Sequence, residues 1–189
     1  MKIVCFGDSN TYGYDPRSFL GDRYEPECRW VNILSDQLGS TVINAGENGR
    51  EIPHNKWQIA DVKRRLAEEK TFDLLLVMLG TNDLLQGNPV SGIVSRMEGF
   101  LRETEVSADR IVLIAPPVLR LGEWVASRSL VETSIELNKA YQRLAEDLGI
   151  GFVDAGEWNL SLAFDGVHLT QEAHRIFAEN LLCYLRKGE

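Results

Sequence analysis

The sequence contains no apolar run near the roughly 20 residues that a membrane-crossing helix needs, so no helical anchor is expected and no membrane partner. It is also poor in positive charge. Twenty Lys and Arg against 28 Asp and Glu leave a formal net charge of -8. A nucleic acid or an anionic lipid surface would want a basic face, so neither is an expected partner. Cysteine is scarce: Cys5, Cys28 and Cys183 are odd in number and far apart. That excludes a disulfide framework, and no C-x-x-C or His/Cys spacing suggests zinc. No metal and no cofactor is expected. Cys5, in an expected buried strand, and Cys183, on the expected apolar side of the last helix, read as small hydrophobes rather than reactive thiols. No internal repeat, low-complexity tract or linker interrupts the 189 residues, so one domain spanning 1–189 is expected. The opening Met1-Lys2-Ile3-Val4-Cys5-Phe6 runs directly into a glycine turn and leaves no room for a cleavable signal peptide. Together with the scarce cysteine, this sets the expected location as cytoplasmic.

What the sequence does have is alternation. Short apolar runs and helical patterns follow one another, the signature of an α/β fold whose parallel sheet is joined by crossover helices. Strands are expected at Lys2–Phe6, Thr41–Asn44, Asp73–Leu79, Arg110–Ala115 and Gly151–Asp154. The third is the most hydrophobic and reads as a central strand covered on both faces. A polar loop with breakers Pro16, Gly21 and Pro26 precedes a helix from Trp30 to Leu38, which Gly39 should stop. Further helices are expected from Trp57 into a solvated face ending at Glu68-Glu69-Lys70, from Val94 to Glu103, from about Thr133 to Leu148, and from about Thr170 onward. Leu137, Tyr141, Leu144 and Leu148 share one helical face, as do Ala173, Phe177, Leu181 and Leu185. The segment from Val118 to Val131 shows little periodicity.

Phe6-Gly7-Asp8-Ser9-Asn10-Thr11-Tyr12-Gly13 ends the first strand. A hydroxyl there, between glycines, lies where open α/β sheets place their ligands, outside the carboxyl ends of the strands. Ser9 is therefore a candidate nucleophile in search of a base, an orienter and an oxyanion site. Loops that follow parallel strands emerge at one edge, so Ser9, Gly46, Asn82 and His168 can converge although distant in sequence. His168 is the best base, since an imidazole shuttles protons near neutrality. Asp165, three residues earlier, can fix its tautomer and stabilise the imidazolium. The backbone N–H groups of Ser9 and Gly46 and the side-chain amide of Asn82 can supply the oxyanion donors.

Four blocks, Gly7-Asp8-Ser9-Asn10, Gly46 within Asn44-Ala45-Gly46-Glu47-Asn48-Gly49, Gly80-Thr81-Asn82-Asp83 and Asp165-Gly166-Val167-His168, resemble those of the SGNH (GDSL-type) esterase family. They occur in the family's order and span nearly the whole chain. The resemblance implies a flavodoxin-like three-layer α/β/α sandwich with a five-stranded parallel sheet. It also implies Ser9 as nucleophile, Asp165 and His168 as its partners, and Gly46 and Asn82 in the oxyanion hole. Asn10 stands where leucine is usual in that family, which bears on substrate preference more than on mechanism. Asn10-Thr11-Tyr12-Gly13-Tyr14-Asp15-Pro16, Arg29-Trp30 and Asn48-Gly49-Arg50 resemble the branch of arylesterases, acetylesterases and a related acyltransferase, whose members often oligomerise. A homo-oligomer is accordingly among the expectations.

The expected activity is hydrolysis of small acyl esters, acetyl above all, of carbohydrates or of simple or aryl alcohols, through an acyl-enzyme on Ser9. The expected partner is that small-molecule ester. A thioesterase, a lysophospholipase or an acyltransferase on the same residues is the alternative, and a non-catalytic flavodoxin-like binding module is the rival of another class. His54, in a polar loop, reads as a rim or exposed residue, and His174 as a structural hydrogen-bonding one. Asp8 and Asp83 read as turn or capping residues. Trp30, Trp57, Trp124 and Trp158 default to core or rim packing, with Trp124 or Trp158 a candidate pocket wall. Arg50 either meets substrate or faces solvent.

Overall fold

A computed structural model describes residues 1–18, 20, 22–69 and 71–187. Gly21 and Lys70, read above as a loop breaker and part of a helix face, lie outside them. The chain runs β1 (Lys2–Gly7), α1 (Ser9–Tyr12), α2 (Trp30–Leu38), β2 (Thr41–Gly46), α3 (Lys56–Glu68) and β3 (Leu74–Met78). It continues through α4 (Thr81–Leu85), α5 (Val90–Glu103), β4 (Ile111–Ala115), α6 (Arg128–Leu148), β5 (Gly151–Asp154) and α7 (Gln171–Lys187). The five strands form one parallel sheet in the order β2-β1-β3-β4-β5.

Strand periodicity explains the layers. Alternate residues of a strand point to opposite faces, and here both faces are apolar. Val4, Phe6, Leu75, Val77, Ile111 and Leu113 point to one side, where α3, α5 and α6 supply Leu66, Phe100 and Tyr141. Ile3, Cys5, Leu76, Met78, Val112 and Ile114 point to the other, where α2 and α7 supply Trp30, Leu34, Phe177 and Leu181. The helical stripes expected from the sequence face these two layers: Leu137 and Tyr141 of α6, and Ala173, Phe177 and Leu181 of α7, are fully buried. The result is the three-layer α/β/α sandwich.

The chain leaves β1 toward one edge of the sheet, returns, and places β3 on β1's other side. The strand order therefore reverses between β1 and β3, and the carboxyl ends of these two strands open a crevice. Each of the two strands turns at once into a one-turn helix, α1 or α4. Gly80, between β3 and α4, has φ +117°, and a Cβ there would fall 2.7 Å from the Tyr141 hydroxyl. Only glycine takes that conformation and that contact without strain.

Some boundaries differ from expectation. α6 starts at Arg128, five residues before Thr133, because the Ser127 hydroxyl accepts a hydrogen bond from Leu130 N at 3.3 Å and caps the helix. α5 starts at Val90, directly after Pro89. Cys183 is exposed rather than packed. Trp57 is 87% exposed in the first turn of α3, where Val62 and Leu66 carry the buried face. No helix among the described residues is long and apolar enough to cross a membrane.

Candidate active site

Ser9 is the first residue of α1. Asp8 caps this helix, its Oδ1 accepting from Asn10 N at 2.9 Å. This cap turns the chain sharply and leaves the Ser9 side chain at the β1 end of the crevice. Thr11 N and Tyr12 N bond to Asp8 O, and among the described residues the Ser9 amide has no acceptor of its own.

His168 arrives from the far end of the chain. A hairpin closed by the Leu162–Leu169 bridge presents it, with Ala163 N donating to His168 O at 2.7 Å. Its Nε2 lies 2.9 Å from Ser9 Oγ, and its Nδ1 lies 2.7 Å from Asp165 Oδ2. A carboxylate can only accept, so the assigned tautomer carries its proton on Nδ1. Nε2 is then left to accept from the serine hydroxyl. The other Asp165 oxygen, Oδ1, receives Val167 N at 2.8 Å and His168 N at 3.0 Å. Burial alone would push this carboxyl up. The hydrogen bonds from the His168 ring and from the two amides outweigh it, and the net shift is downward, toward a firmly ionised carboxylate. Ser9, Asp165 and His168 are each at least nine-tenths buried.

A second segment braces the hairpin from outside. Arg120 N, Glu123 N and Trp124 N donate to the carbonyls of Gly166, Phe164 and Asp165 at 3.0–3.1 Å. This sets the Trp124 ring edge-on to His168, 5.1 Å between centroids at 81°, with half its surface open to solvent. Tyr14 covers the imidazole from another side at 4.6 Å. Trp158, the other candidate wall, packs on Phe177 in the α2/α7 layer instead.

Asn82, on α4, completes the crevice from the β3 side. Its Nδ2 donates one hydrogen to Arg50 O at 3.0 Å, which leaves the second without an acceptor among the described residues. Gly46 ends β2 and takes a packing role. Its N–H is engaged by Asn44 Oδ1 at 3.0 Å, while Asn44 Nδ2 holds Thr11 O at 2.8 Å. A Cβ on Gly46 would sit 2.2 Å from Tyr12 N, so the residue is glycine to let β2 touch α1. The turn just beyond it, 47–50, is anchored to β1 by Glu47 N on Gly7 O at 3.1 Å and closed by Arg50 N on Glu47 O at 3.3 Å. Among the described residues the amide of Gly49, at φ +72° in this turn, has no acceptor in the chain. Gly49 lies in the same sequence block as Gly46, and no residue pattern there separates the two amides.

Arg50 is neither a free solvent residue nor turned into the crevice. It bonds the carbonyls of Gly7 and Ala45 and the carboxylate of Glu47, and its guanidinium lies 4.3 Å over the Phe6 ring. It pins the ends of β1 and β2 together. Asp83 is fully buried and receives Ile52 N at 3.1 Å and Arg96 at 3.3 Å, tying α4 to α5. His54 is exposed, as expected, and His174 is wholly buried, its Nδ1 receiving Trp30 N at 3.4 Å. Asp8 has a second oxygen, Oδ2, buried with no partner among the described residues. Burial pushes its carboxyl up to about 6, against the opposing pull of the Asn10 amide, His168 and Arg50.

Comparison with known proteins agrees with this geometry. The chain resembles the carbohydrate acetylesterase family member of Sinorhizobium meliloti at 29% identity and TM-score 0.84, covering 99% of this chain and 98% of that one. It resembles the aryl esterase of M. smegmatis at 25% identity and TM-score 0.86, covering 98% of each. A member of the lipolytic G-D-S-L family from Veillonella parvula shares the fold at 21% identity and TM-score 0.75, covering 96% of each. No curated protein matches the sequence. The family model of the GDSL-like lipases and acylhydrolases matches residues 5–176, from the middle of β1 into α7, and takes in every crevice residue described above. By that match, and by a buried serine bonded to a histidine that an aspartate orients, the chain belongs to the GDSL-like Lipase/Acylhydrolase family of ester hydrolases.

Proposed function

We propose that this esterase hydrolyses small acyl esters, acetyl esters foremost, of carbohydrates or of simple and aryl alcohols, through an acyl-enzyme on Ser9. The observation that carries the mechanism is the 2.9 Å approach of His168 Nε2 to Ser9 Oγ. As Oγ attacks the ester carbonyl, its proton passes to Nε2, and Asp165 stabilises the imidazolium without leaving its two amide donors. The oxyanion is received by the Ser9 amide and the second Asn82 Nδ2 hydrogen. Gly49 N–H is proposed as the third donor in place of Gly46, whose amide is already engaged by Asn44. His168 then protonates the leaving alcohol, and water repeats the sequence on the acyl-enzyme to release the acid.

The substrate class draws support from two of the solved esterases it resembles, one named a carbohydrate acetylesterase family member and one an aryl esterase. It also fits the rim: Tyr14 and Trp124 flank His168 with aromatic faces suited to an aryl group or a sugar ring.

The test is a panel of 4-nitrophenyl acetate, butyrate and decanoate with an acetylated sugar, run on the wild type and Ser9→Ala. The expected result is kcat/KM highest for acetate, measurable release of acetate from the sugar, and loss of all turnover in folded Ser9→Ala. Rates that rise with chain length would overturn the substrate class in favour of a thioesterase or lysophospholipase. Undiminished turnover by Ser9→Ala would overturn the mechanism.

A further inference from the structure

Asn10 follows the nucleophile directly, and its side chain crosses to the loop that carries the base. Its Nδ2 donates to Val167 O at 3.1 Å, and its Oδ1 accepts from Leu169 N at 2.9 Å. Val167 and Leu169 are the residues on either side of His168. The partners fix the amide's orientation: a carbonyl oxygen faces Nδ2 and an N–H faces Oδ1, so the flipped side chain would oppose like with like at both ends. The rest of Asn10 is also engaged. Its amide donates to Asp8 Oδ1 at 2.9 Å, its carbonyl receives the Trp30 indole N–H at 3.0 Å, and the residue is 3% exposed.

From these contacts we infer that Asn10 is a positioning residue, a two-point clamp that sets the distance between Ser9 Oγ and His168 Nε2. The inference rests on the proposed roles of Ser9 and His168 and deepens them. The levers are short. On the serine side the lever is a single peptide bond, and on the histidine side it is one residue in each direction. The hairpin is braced elsewhere at Phe164, Asp165 and Gly166 by the 120–124 segment, and at Leu169 O by the Tyr24 hydroxyl at 3.3 Å. The first brace does not reach α1, and Tyr24 meets only its far end, donating its amide to Gly13 O at 2.8 Å; neither brace touches Ser9 or Asn10. Among the described residues, the Asn10 amide and the Ser9–His168 bond itself make the hydrogen bonds between α1 and this hairpin. Without the amide, the reacting pair would have to hold its own geometry. A misplacement of about 1 Å in a reacting pair costs on the order of a hundredfold in rate.

A leucine at this position, usual in the family the sequence resembles, offers neither hydrogen bond. It would leave the Val167 carbonyl and the Leu169 N–H buried without partners, and both would pull the hairpin toward other partners. In this chain the polar residue after the nucleophile therefore belongs to the alignment of the base rather than to the substrate pocket.

The experiment compares wild type, Asn10→Leu and Asn10→Asp with 4-nitrophenyl acetate and with a fluorophosphonate probe, alongside Ser9→Ala. Asn10→Asp keeps the acceptor for Leu169 N but sets an oxygen against Val167 O. Both Asn10 variants are expected to lose ten- to a hundredfold in kcat with KM within about twofold of wild type. Their rate constant for fluorophosphonate labelling should fall by the same factor, while final labelling still reaches one serine per chain. A purely structural role would instead reduce the number of labelled serines and leave the rate constant of the remaining sites unchanged, and that result overturns the inference. So does a variant with wild-type kcat, or one in which only KM moves. Failure of the underlying mechanism is read separately, as wild-type labelling at a residue other than Ser9 or as turnover by Ser9→Ala.

Discussion

Replacing His174 by asparagine should make the fold more resistant to acid, by an amount that grows as pH falls. His174 is wholly buried between α7 and α2 and receives Trp30 N on Nδ1, which places its proton on Nε2. Nε2 has no partner among the described residues. Burial, and then the nearby charges of Arg29 and His168, lower its pKa from 6.5 to about 3. Between those values the unfolded chain takes up a proton that the native chain refuses. The stability His174 contributes is complete above pH 6.5 and is lost as pH falls toward 3. One such proton gives a slope of about 1.4 kcal/mol per pH unit, hence roughly 2–3 kcal/mol between pH 6.5 and 4.5. Asp8 works in the opposite sense. Its carboxyl, raised from 3.8 to about 6, makes the native state bind the extra proton, so its contribution is full below 3.8 and is lost as pH rises through 6. In the wild type the two slopes oppose each other between pH 4 and 6 and flatten the profile. Asparagine removes one of them and retains an acceptor near the Nδ1 position for Trp30 N. Urea midpoints measured by circular dichroism at pH 4.5, 5.5 and 6.5, with constant m, give the difference between wild type and His174→Asn. The fixed cost of the substitution drops out of the comparison between pH values. The variant should gain roughly 2–3 kcal/mol relative to wild type across that range. A difference independent of pH would show that His174 does not stay unprotonated in the native state over this range.

Gly46→Ala should destabilise the protein by about 1–3 kcal/mol and reduce activity, because its Cβ meets the Tyr12 backbone rather than a movable side chain; thermal unfolding and ester turnover check both. Asp165→Asn should leave the protein folded while kcat falls on the order of ten-thousandfold, since an amide in that place favours the wrong imidazole tautomer. Asn82→Ala should lower kcat on the order of a hundredfold or more with KM little changed, because the proposed donor meets charge that develops only in the transition state.

The sheet and its two layers were legible in the sequence because strands covered on both faces read as plain apolar runs and α6 and α7 carry clear stripes. The approach of His168 and Asp165 to Ser9, and the place of Asn82 just beyond the carboxyl end of the strand beside β1, followed from where parallel strands end. What stayed hidden was short-range or reciprocal. α1 and α4 are too short to show a period, yet they aim Ser9 and Asn82. Gly46 and Gly49 stand three residues apart in one sequence block, and only the hydrogen bond from Gly46 N to Asn44 shows that the first amide is engaged. Arg50 is polar in sequence but lies over Phe6 with its charge turned to backbone carbonyls, a contact no pattern announces. The Asn10 amide pairs with residues 157 and 159 positions away, beyond any local signal.

The proposed mechanism requires that Ser9 carry the acyl group. Rapid-quench mass spectrometry of the wild type mixed with excess 4-nitrophenyl acetate tests it most directly. A transient single acetyl group per chain is expected, mapped to the peptide containing Ser9 and absent in Ser9→Ala. Turnover with that peptide unmodified at every quench time, or an acetyl group located on another residue, would contradict it.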